Sequence, residues 1–152
     1  MVTFGSPVIF IDGTVADVSK RVKYLQGEKK DWNKFYEGVE DDEVIKPIAD
    51  LLCAVRDSYH IAVQTVCVTA RPERIWYETV RWLDEKVGFE PYKIFMRYDD
   101  DDRPEIEVKR DIVEYLRRER YHIVLAFANR DEIVKMYRDM GIQCCQVAES
   151  AY

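Results

Sequence analysis

Short apolar runs alternate with longer amphipathic stretches along most of this 152-residue chain. The apolar runs predict five β-strands, at Val8–Asp12, Ile61–Thr69, Tyr92–Met96, Ile123–Ala128 and Gln143–Val147. In the amphipathic stretches, apolar side chains recur at helical spacing and predict four helices, at Glu43–Ser58, Pro72–Val87, Glu105–Glu119 and Arg130–Met140. Alternation of this kind is typical of an α/β domain with a mainly parallel sheet.

Residues 14–39 interrupt the alternation and predict a small, cap-like helical insertion after the first strand. Asp31 is expected to cap a short helix at Trp32–Glu37, because an aspartate side chain accepts hydrogen bonds from first-turn amides. The aromatic residues of that helix are expected to be core or cover residues, and stacking on a nucleobase is the alternative interpretation. The length fits a single domain over residues 1–152.

Composition and charge narrow the range of partners. The net charge of −6 argues against binding to long nucleic acids, whose phosphate backbone is bound by basic surfaces. No apolar run is long enough to predict a membrane span, and residues 1–7 lack the pattern of a signal peptide. The four cysteines lack metal-site spacing and are expected to be reduced thiols. These features predict a cytoplasmic protein that does not bind membranes.

The segment Pro7–Thr14 has the pattern of a buried strand that runs into a tight turn. It resembles the first motif of the haloacid dehalogenase (HAD) phosphatases, in which four apolar residues precede Asp-x-Asp-Gly-Thr. The match places Asp12 at the family's acid/base aspartate and Phe10 at its nucleophile. The resemblance implies a three-layer HAD-like domain around a central, mainly parallel five-stranded sheet.

Later segments extend this resemblance in the order that the family requires. They are Val68–Glu73, Phe95–Arg110, Leu125–Asp131 and Gly141–Ala148. Together they resemble the polynucleotide 3′-phosphatase branch of the superfamily, which is common in phage genomes.

The resemblance divides the site residues by charge. Groups that face phosphate are kept, and with Asn129 they form the predicted ligand site: Thr69, Arg71, Arg97, Arg103, Lys109, Asn129 and Arg130. The acidic groups are lost, because Phe10 replaces the nucleophile and Ala128-Asn129 replaces the acidic pair that holds Mg²⁺ in the family. Mg²⁺ is usually anchored by carboxylates, so no metal and no other cofactor are expected, and the pocket is expected to carry net positive charge.

Structural roles remain open for several of these residues. Asp12 is also suited to capping the turn at Gly13-Thr14. Arg97 and Arg103 are equally expected to pair with the acidic run Asp99–Asp102. Asn129 is expected to bond either a ligand phosphate or the loop of the first motif.

Three functions fit the pattern. The preferred one is a catalytically degenerate HAD-like protein that binds a phosphorylated small molecule, foremost a nucleotide, and sequesters a host nucleotide signal as a phage or prophage protein. The alternative is a rebuilt hydrolase in which Asp12 attacks or deprotonates at a nucleotide phosphoester, pyrophosphate or glycosidic bond. The third is an interacting protein with a vestigial pocket. Homo-oligomer formation is left open.

Overall fold

A parallel β-sheet lies at the centre of the molecule. The computed structural model describes residues 11–57 and 65–150, together with the backbone of residues 6–9. The strands are β1 (Ser6–Ile9), β2 (Ala16–Asp17), β3 (Glu43–Val44), β4 (Val66–Pro72), β5 (Lys93–Arg97), β6 (Ile123–Ala128) and β7 (Cys144–Gln146). Within the described residues, the central sheet has the order β5-β4-β1-β6-β7, and every pairing in it is parallel.

The predicted α/β class is confirmed, and the strand boundaries differ in detail. The strand β6 has the predicted bounds. The strand β4 continues three residues beyond the predicted end at Thr69, because Pro72 still pairs with Arg97 of β5. Residues 61–64 of the predicted second strand, and Phe10 of the first, lie outside the described residues.

Within the part of the chain that the structure describes, five α-helices lie between the strands. They are α1 (Trp32–Glu37), α2 (Lys46–Arg56), α3 (Trp76–Trp82), α4 (Glu105–Arg118) and α5 (Asp131–Asp139). The predicted start of α3 at Pro72 is wrong, because Glu73–Ile75 form a 3₁₀ turn before the helix begins. A π-helical turn, Leu83–Val87, extends α3 to Gly88, whose φ of +69° ends it in a left-handed conformation. The predicted cap of α1 is confirmed, since the Asp31 carboxylate accepts the Lys34 amide at 3.0 Å.

Alternate residues of the central strands enter two different cores. Val66 and Val68 of β4 pack with α4 and α5 on one face of the sheet. Cys67, which lies between them, packs on the other face with Leu52 of α2 and Trp82 of α3. Because neighbouring strand residues point to opposite faces, the continuous apolar run of β4 is buried on both sides.

A third, smaller core lies in the segment between β1 and α2. We call this segment, which contains the predicted insertion at residues 14–39, the excursion. It contains Val18, Leu25, Phe35, Tyr36 and Val39. The antiparallel pair of β2 and β3 joins the two ends of this excursion. The helix α1 is therefore held above the sheet by its own apolar cluster, close to the point where β1 ends.

Two remaining expectations concern cysteines and membranes. All four cysteines are free thiols; Cys67 and Cys144 are buried, Cys53 is half-buried and Cys145 is exposed. Among the described residues, no helix combines the length and the apolar character that crossing a bilayer requires.

Shortening Leu116 to alanine should destabilise the fold. Leu116 is fully buried on α4, and a Leu→Ala change at such a position costs about 2–5 kcal/mol through lost contacts and the cavity left behind. Leu51→Ala on α2 is the matched control, because Leu51 is 42% exposed. Urea unfolding of both variants should show a loss for Leu116→Ala only; equal losses would contradict the assigned core.

Candidate functional site

A cleft of about 630 Å³ opens where β4, β5 and β6 end at their carboxyl edge. Open parallel sheets place their ligand sites at this edge. Of the described residues that line it, six are cationic: Lys30, Arg74, Arg97, Arg103, Lys109 and Arg130. Six others are acidic: Asp12, Asp99, Asp101, Asp102, Glu105 and Glu132. We call this cavity the strand-end cleft. The expectation of a net positive pocket is wrong, because Asp12 and the acids of the loop 99–102, of α4 and of α5 equal its cations in number.

The structure brings most of the predicted site residues to this cleft. Those that line it are Asp12, Thr69, Arg97, Arg103, Lys109 and Arg130. Arg71 and Asn129 are almost completely buried and do not line it. Their side chains serve the surrounding framework, as their contacts show.

Asp12 is held by two buried guanidinium groups. Nη2 of Arg71 lies 2.8 Å from Oδ1 of Asp12, and Nε lies 3.0 Å from Oδ2, so the pair is bidentate. Nη2 of Arg21 donates to Oδ1 of Asp12 at 2.7 Å and to Oδ2 of Asp42 at 2.5 Å. Arg71 also reaches Asp42 at 3.3 Å. These two arginines and two aspartates, which we call the four-charge network, join the ends of β1 and β4 to the excursion.

The network sets the protonation state of Asp12. Burial alone would raise the pKa of Asp12, but the charges and hydrogen bonds of Arg71, and then of Arg21, outweigh it and hold that pKa far below its usual value. Burial raises the pKa of the Asp42 carboxyl, because the hydrogen bonds and charge of Arg21 offset the loss of solvation only in part. Asp12 is therefore ionised at neutral pH and already accepts hydrogen bonds on both oxygens.

A second cluster lies across the cleft at the start of α4. The two carboxylate oxygens of Glu105 accept separate hydrogen bonds, one from Nζ of Lys109 and one from Nη1 of Arg130. Nη2 of Arg130 also contacts Glu132 at 2.5 Å. Burial would raise the pKa of Glu105, but Lys109 and Arg130 lower it overall. Glu105 thus holds the two cations that the sequence assigns to a ligand phosphate.

Two further predicted residues, Arg97 and Arg103, make their contacts in the loop between β5 and α4. Arg97 donates to the carbonyls of Asp101 at 2.7 Å and of Arg103 at 2.6 Å, and so fastens the loop to the sheet. Arg103 is exposed and pairs with Asp101 and Asp111 at 2.8 and 2.6 Å. Of the two roles left open by the sequence, Arg103 therefore takes the ion pair, whereas Arg97 bonds backbone oxygens.

Thr69 contacts the end of its own strand, and Asn129 contacts the loop that follows β1. Oγ1 of Thr69 accepts the Arg71 amide at 3.2 Å, which leaves Thr69 at the wall of the cleft. The amide of Asn129 lies against Gly13, where an added Cβ would come within 2.2 Å of its Nδ2 atom. Gly13 has a φ of +75°, so only glycine fits there on both counts. The Asn129 side chain thus lies against the first-motif loop, and its contact with a ligand phosphate stays a prediction.

The sequence alone does not identify Arg21 and Asp42 as site residues. Both are buried charges in an excursion that otherwise supplies apolar core residues. A charge inside such a stretch signals a buried partner, but the sequence gives no indication of which one. The sequence predicts Tyr36 as a core or cover residue, and its hydroxyl donates to the Ala70 carbonyl at 3.1 Å inside the cleft.

Solved structures share this fold. The chain aligns over 100% of its length with 49% of a chain in the "Structure of Pnkp1/Rnl/Hen1 complex", at 18% identity and a TM-score of 0.78. It covers 85% of a predicted phosphatase from Clostridium acetobutylicum, at 16% identity and a TM-score of 0.68. It covers 69% of the class C acid phosphatase from Bacillus anthracis, at 18% identity and a TM-score of 0.67. The chain thus spans about half the length of the first of these relatives.

The sheet order and these likenesses show a HAD-like α/β fold. Residues 6–152 match the model of the polynucleotide kinase PNKP phosphatase domain, and the chain belongs to that family. The predicted resemblance to the polynucleotide phosphatase branch is therefore confirmed. A comparison with curated proteins gives no match.

The family implies Mg²⁺ at the carboxylates of its first and fourth motifs, and the residues present here do not fit that ion. Phe10 and Ala128 carry no oxygen on their side chains, and Asn129 offers a neutral amide that is packed on Gly13. The Asp12 carboxylate faces two guanidinium groups, which would repel a divalent cation. Among the described residues, no group of three or more His, Cys, Asp or Glu side chains is arranged to hold a metal.

Asp12→Asn should destabilise the protein strongly. The change leaves two buried guanidiniums with Asp42 as their remaining carboxylate in the network, and breaking a buried ion pair in this way costs about 3–5 kcal/mol. Asp50→Asn is the control, because the exposed pair Lys46–Asp50 should contribute little.

The same variant should show a pH dependence of defined sign. Because folding lowers the pKa of Asp12, its contribution is complete above the unfolded-state value of about 3.9 and declines as the pH falls toward the folded value. The difference in unfolding free energy between wild type and Asp12→Asn should therefore be constant near neutral pH and narrow in acid. A difference that grows in acid would contradict the network.

Proposed function

We propose that this chain binds a phosphorylated small molecule, foremost a nucleotide, without a metal ion and without turnover. The observation that carries this proposal is the state of Asp12. It is the acid that the first motif retains, and both of its oxygens are engaged by buried arginines. The proposal rests on the PNKP phosphatase fold, whose catalytic carboxylates this sequence replaces at positions 10, 128 and 129.

The bonding of Asp12 favours binding over a rebuilt hydrolase. A general base needs a pKa near the working pH and a free lone pair directed at the proton that it removes. Arg71 and Arg21 hold the pKa of Asp12 far below its usual value and occupy its oxygens. An ionised carboxylate held in this way is a weak base and a weak nucleophile, so the alternative with Asp12 as catalyst is less well supported.

The opposite side of the cleft supports anion binding. Lys109 and Arg130 already hold one anion, the Glu105 carboxylate, and Thr69 lines the same cavity. A phosphate can take over these donors if Glu105 turns away, because phosphate offers more oxygens and more charge than a carboxylate. The volume of about 630 Å³ lies within the range of small-molecule sites.

The biological setting depends on the identity of the ligand. Sequestration of a host nucleotide signal, as in a phage protein, stays a prediction and follows if a signalling nucleotide binds tightly and leaves intact. An interacting protein with a vestigial pocket remains the competing function. It predicts that no phosphorylated ligand binds the cleft.

Binding of adenosine 5′-monophosphate should be independent of metal. Isothermal titration of the full chain in EDTA and in Mg²⁺ should give the same dissociation constant, because arginine and lysine supply the positive charge. The nucleotide should be recovered intact by mass spectrometry. Affinity that requires Mg²⁺, or recovery of a cleaved product, would overturn the proposal.

Glu105→Gln should strengthen phosphate binding. The change removes the carboxylate charge that competes with phosphate for Lys109 and Arg130, and we expect affinity to rise by about tenfold, equivalent to roughly 1.4 kcal/mol. Glu107→Gln is the matched control, since Glu107 is exposed on the same helix and does not line the cleft. Titration of inorganic phosphate measures both; unchanged or weaker binding in Glu105→Gln would place the phosphate elsewhere.

A further inference from the structure

Two aromatic rings of α1 form one wall of the strand-end cleft. Trp32 is 40% exposed and its ring stacks on Tyr36, with a centroid distance of 6.0 Å and an interplanar angle of 24°. Tyr36 is mostly buried, and its hydroxyl is fixed on the Ala70 carbonyl at 3.1 Å. Ala70 follows Thr69, so this hydrogen bond fastens the aromatic wall to the strand end that carries the phosphate-facing threonine.

The exposure of Trp32 is not explained by the core of the excursion. Phe35 and Val39 are almost fully buried and fill that core, and Trp32 touches it edge-on through Phe35 at 5.7 Å. Trp82 shows the contrasting arrangement, because it is buried and its indole N–H donates to the Asp42 carbonyl at 3.0 Å. A large flat ring that remains half open inside a polar cleft offers a stacking surface.

Polar groups surround the ring on the cleft side. Nζ of Lys30 lies 5.8 Å from the centre of the Trp32 ring. Lys30 is exposed, and its side chain is flexible. It can therefore move away from the Trp32 ring when a flat ligand binds there, while its charge stays nearby. Asn33 accepts from Nη2 of Arg74 at 3.0 Å, and both side chains line the cleft beside the indole. The cavity thus combines cations, an amide and an aromatic face. These groups are complementary to a nucleotide, in which an anionic phosphate is joined to a planar, polar base.

We propose that Trp32, backed by Tyr36, stacks on the nucleobase of a nucleotide whose phosphate lies at Thr69, Lys109 and Arg130. This inference rests on the proposed function and adds the part of the ligand that α1 recognises. The cap-like insertion thereby selects nucleotides over other phosphorylated molecules, because the stacking contact needs a planar ring.

Isothermal titration with three probes distinguishes binding of the phosphate from binding of the base. The probes are adenosine 5′-monophosphate, ribose 5-phosphate and inorganic phosphate, each titrated into the full chain. Trp32→Ala should weaken binding of the nucleotide by about tenfold or more and leave the two probes without a base unchanged. Trp32→Phe, which keeps a ring, should retain most of the nucleotide affinity.

Trp76→Ala is the matched control. Trp76 is 49% exposed, similar to Trp32, but it lies at the start of α3 and does not line the cleft. Its loss should leave all three affinities unchanged. Circular dichroism at the titration temperature verifies that each variant is folded.

The outcomes distinguish this inference from the function on which it rests. If wild type binds the nucleotide and Trp32→Ala binds it equally well, the stacking role is overturned and the proposed function stands. If Trp32→Ala weakens all three probes alike, Trp32 only shapes the cleft, and base recognition is overturned. If wild type binds none of the probes, the proposed function fails, and the stacking role fails with it.

Discussion

The bidentate pair between Arg71 and Asp12 is the contact on which the architecture of the site depends. It joins the turn after β1 to the end of β4, and Arg21 and Asp42 extend it into the excursion. Two positive and two negative charges lie together, with Arg71 fully buried. Charges taken out of water are tolerated when they are paired and hydrogen-bonded, and each member of this set meets at least two partners of opposite charge.

The pairing with two arginines bears on how Asp12, the retained aspartate of the first motif, is interpreted. In the family that the chain belongs to, a divalent cation balances the carboxylates of the first motif. Here two guanidinium groups supply positive charge beside Asp12, and arginine does not lose its proton in proteins. The same residue that marks a catalytic motif in the sequence is thus a structural ion-pair partner in the fold. Without Asp12, Arg71 and Arg21 would be buried with Asp42 as their remaining carboxylate in the network.

Much of the fold could be predicted from the sequence, because apolar periodicity reports directly which faces are buried. The strand β6 and the helix α1 have the predicted bounds, and Asp31 caps α1 as its position indicates. The start of α3 could not be predicted, since Pro72 is compatible with both the first turn of a helix and an extended strand end. Strand pairing with Arg97 decided that choice, and pairing partners are set by the tertiary structure.

The position of the candidate site could be predicted from the sequence, but the hydrogen bonds and ion pairs within it could not. Motif spacing placed Lys109 and Arg130 at the cleft, yet it could not show that Glu105 lies between them. Motif spacing also gave no reason to expect Arg71 and Arg21 in one network of charges, because they are fifty residues apart in the chain. Charges that are distant in sequence pair according to the fold. The net charge of a pocket therefore cannot be derived from its motif cations or from its missing motif acids alone.

The position of Glu105 has a consequence for the selectivity of the cleft. An anion that belongs to the chain cannot be diluted away, so every incoming anion competes against a fixed local concentration of carboxylate. A monatomic anion such as chloride brings no more charge than the carboxylate and lacks its two separate oxygen acceptors. A dianion can satisfy Lys109 and Arg130 together and still gain from the exchange. If the cleft binds a phosphorylated ligand as proposed, Glu105 therefore favours dianions over the monovalent anions of common salts.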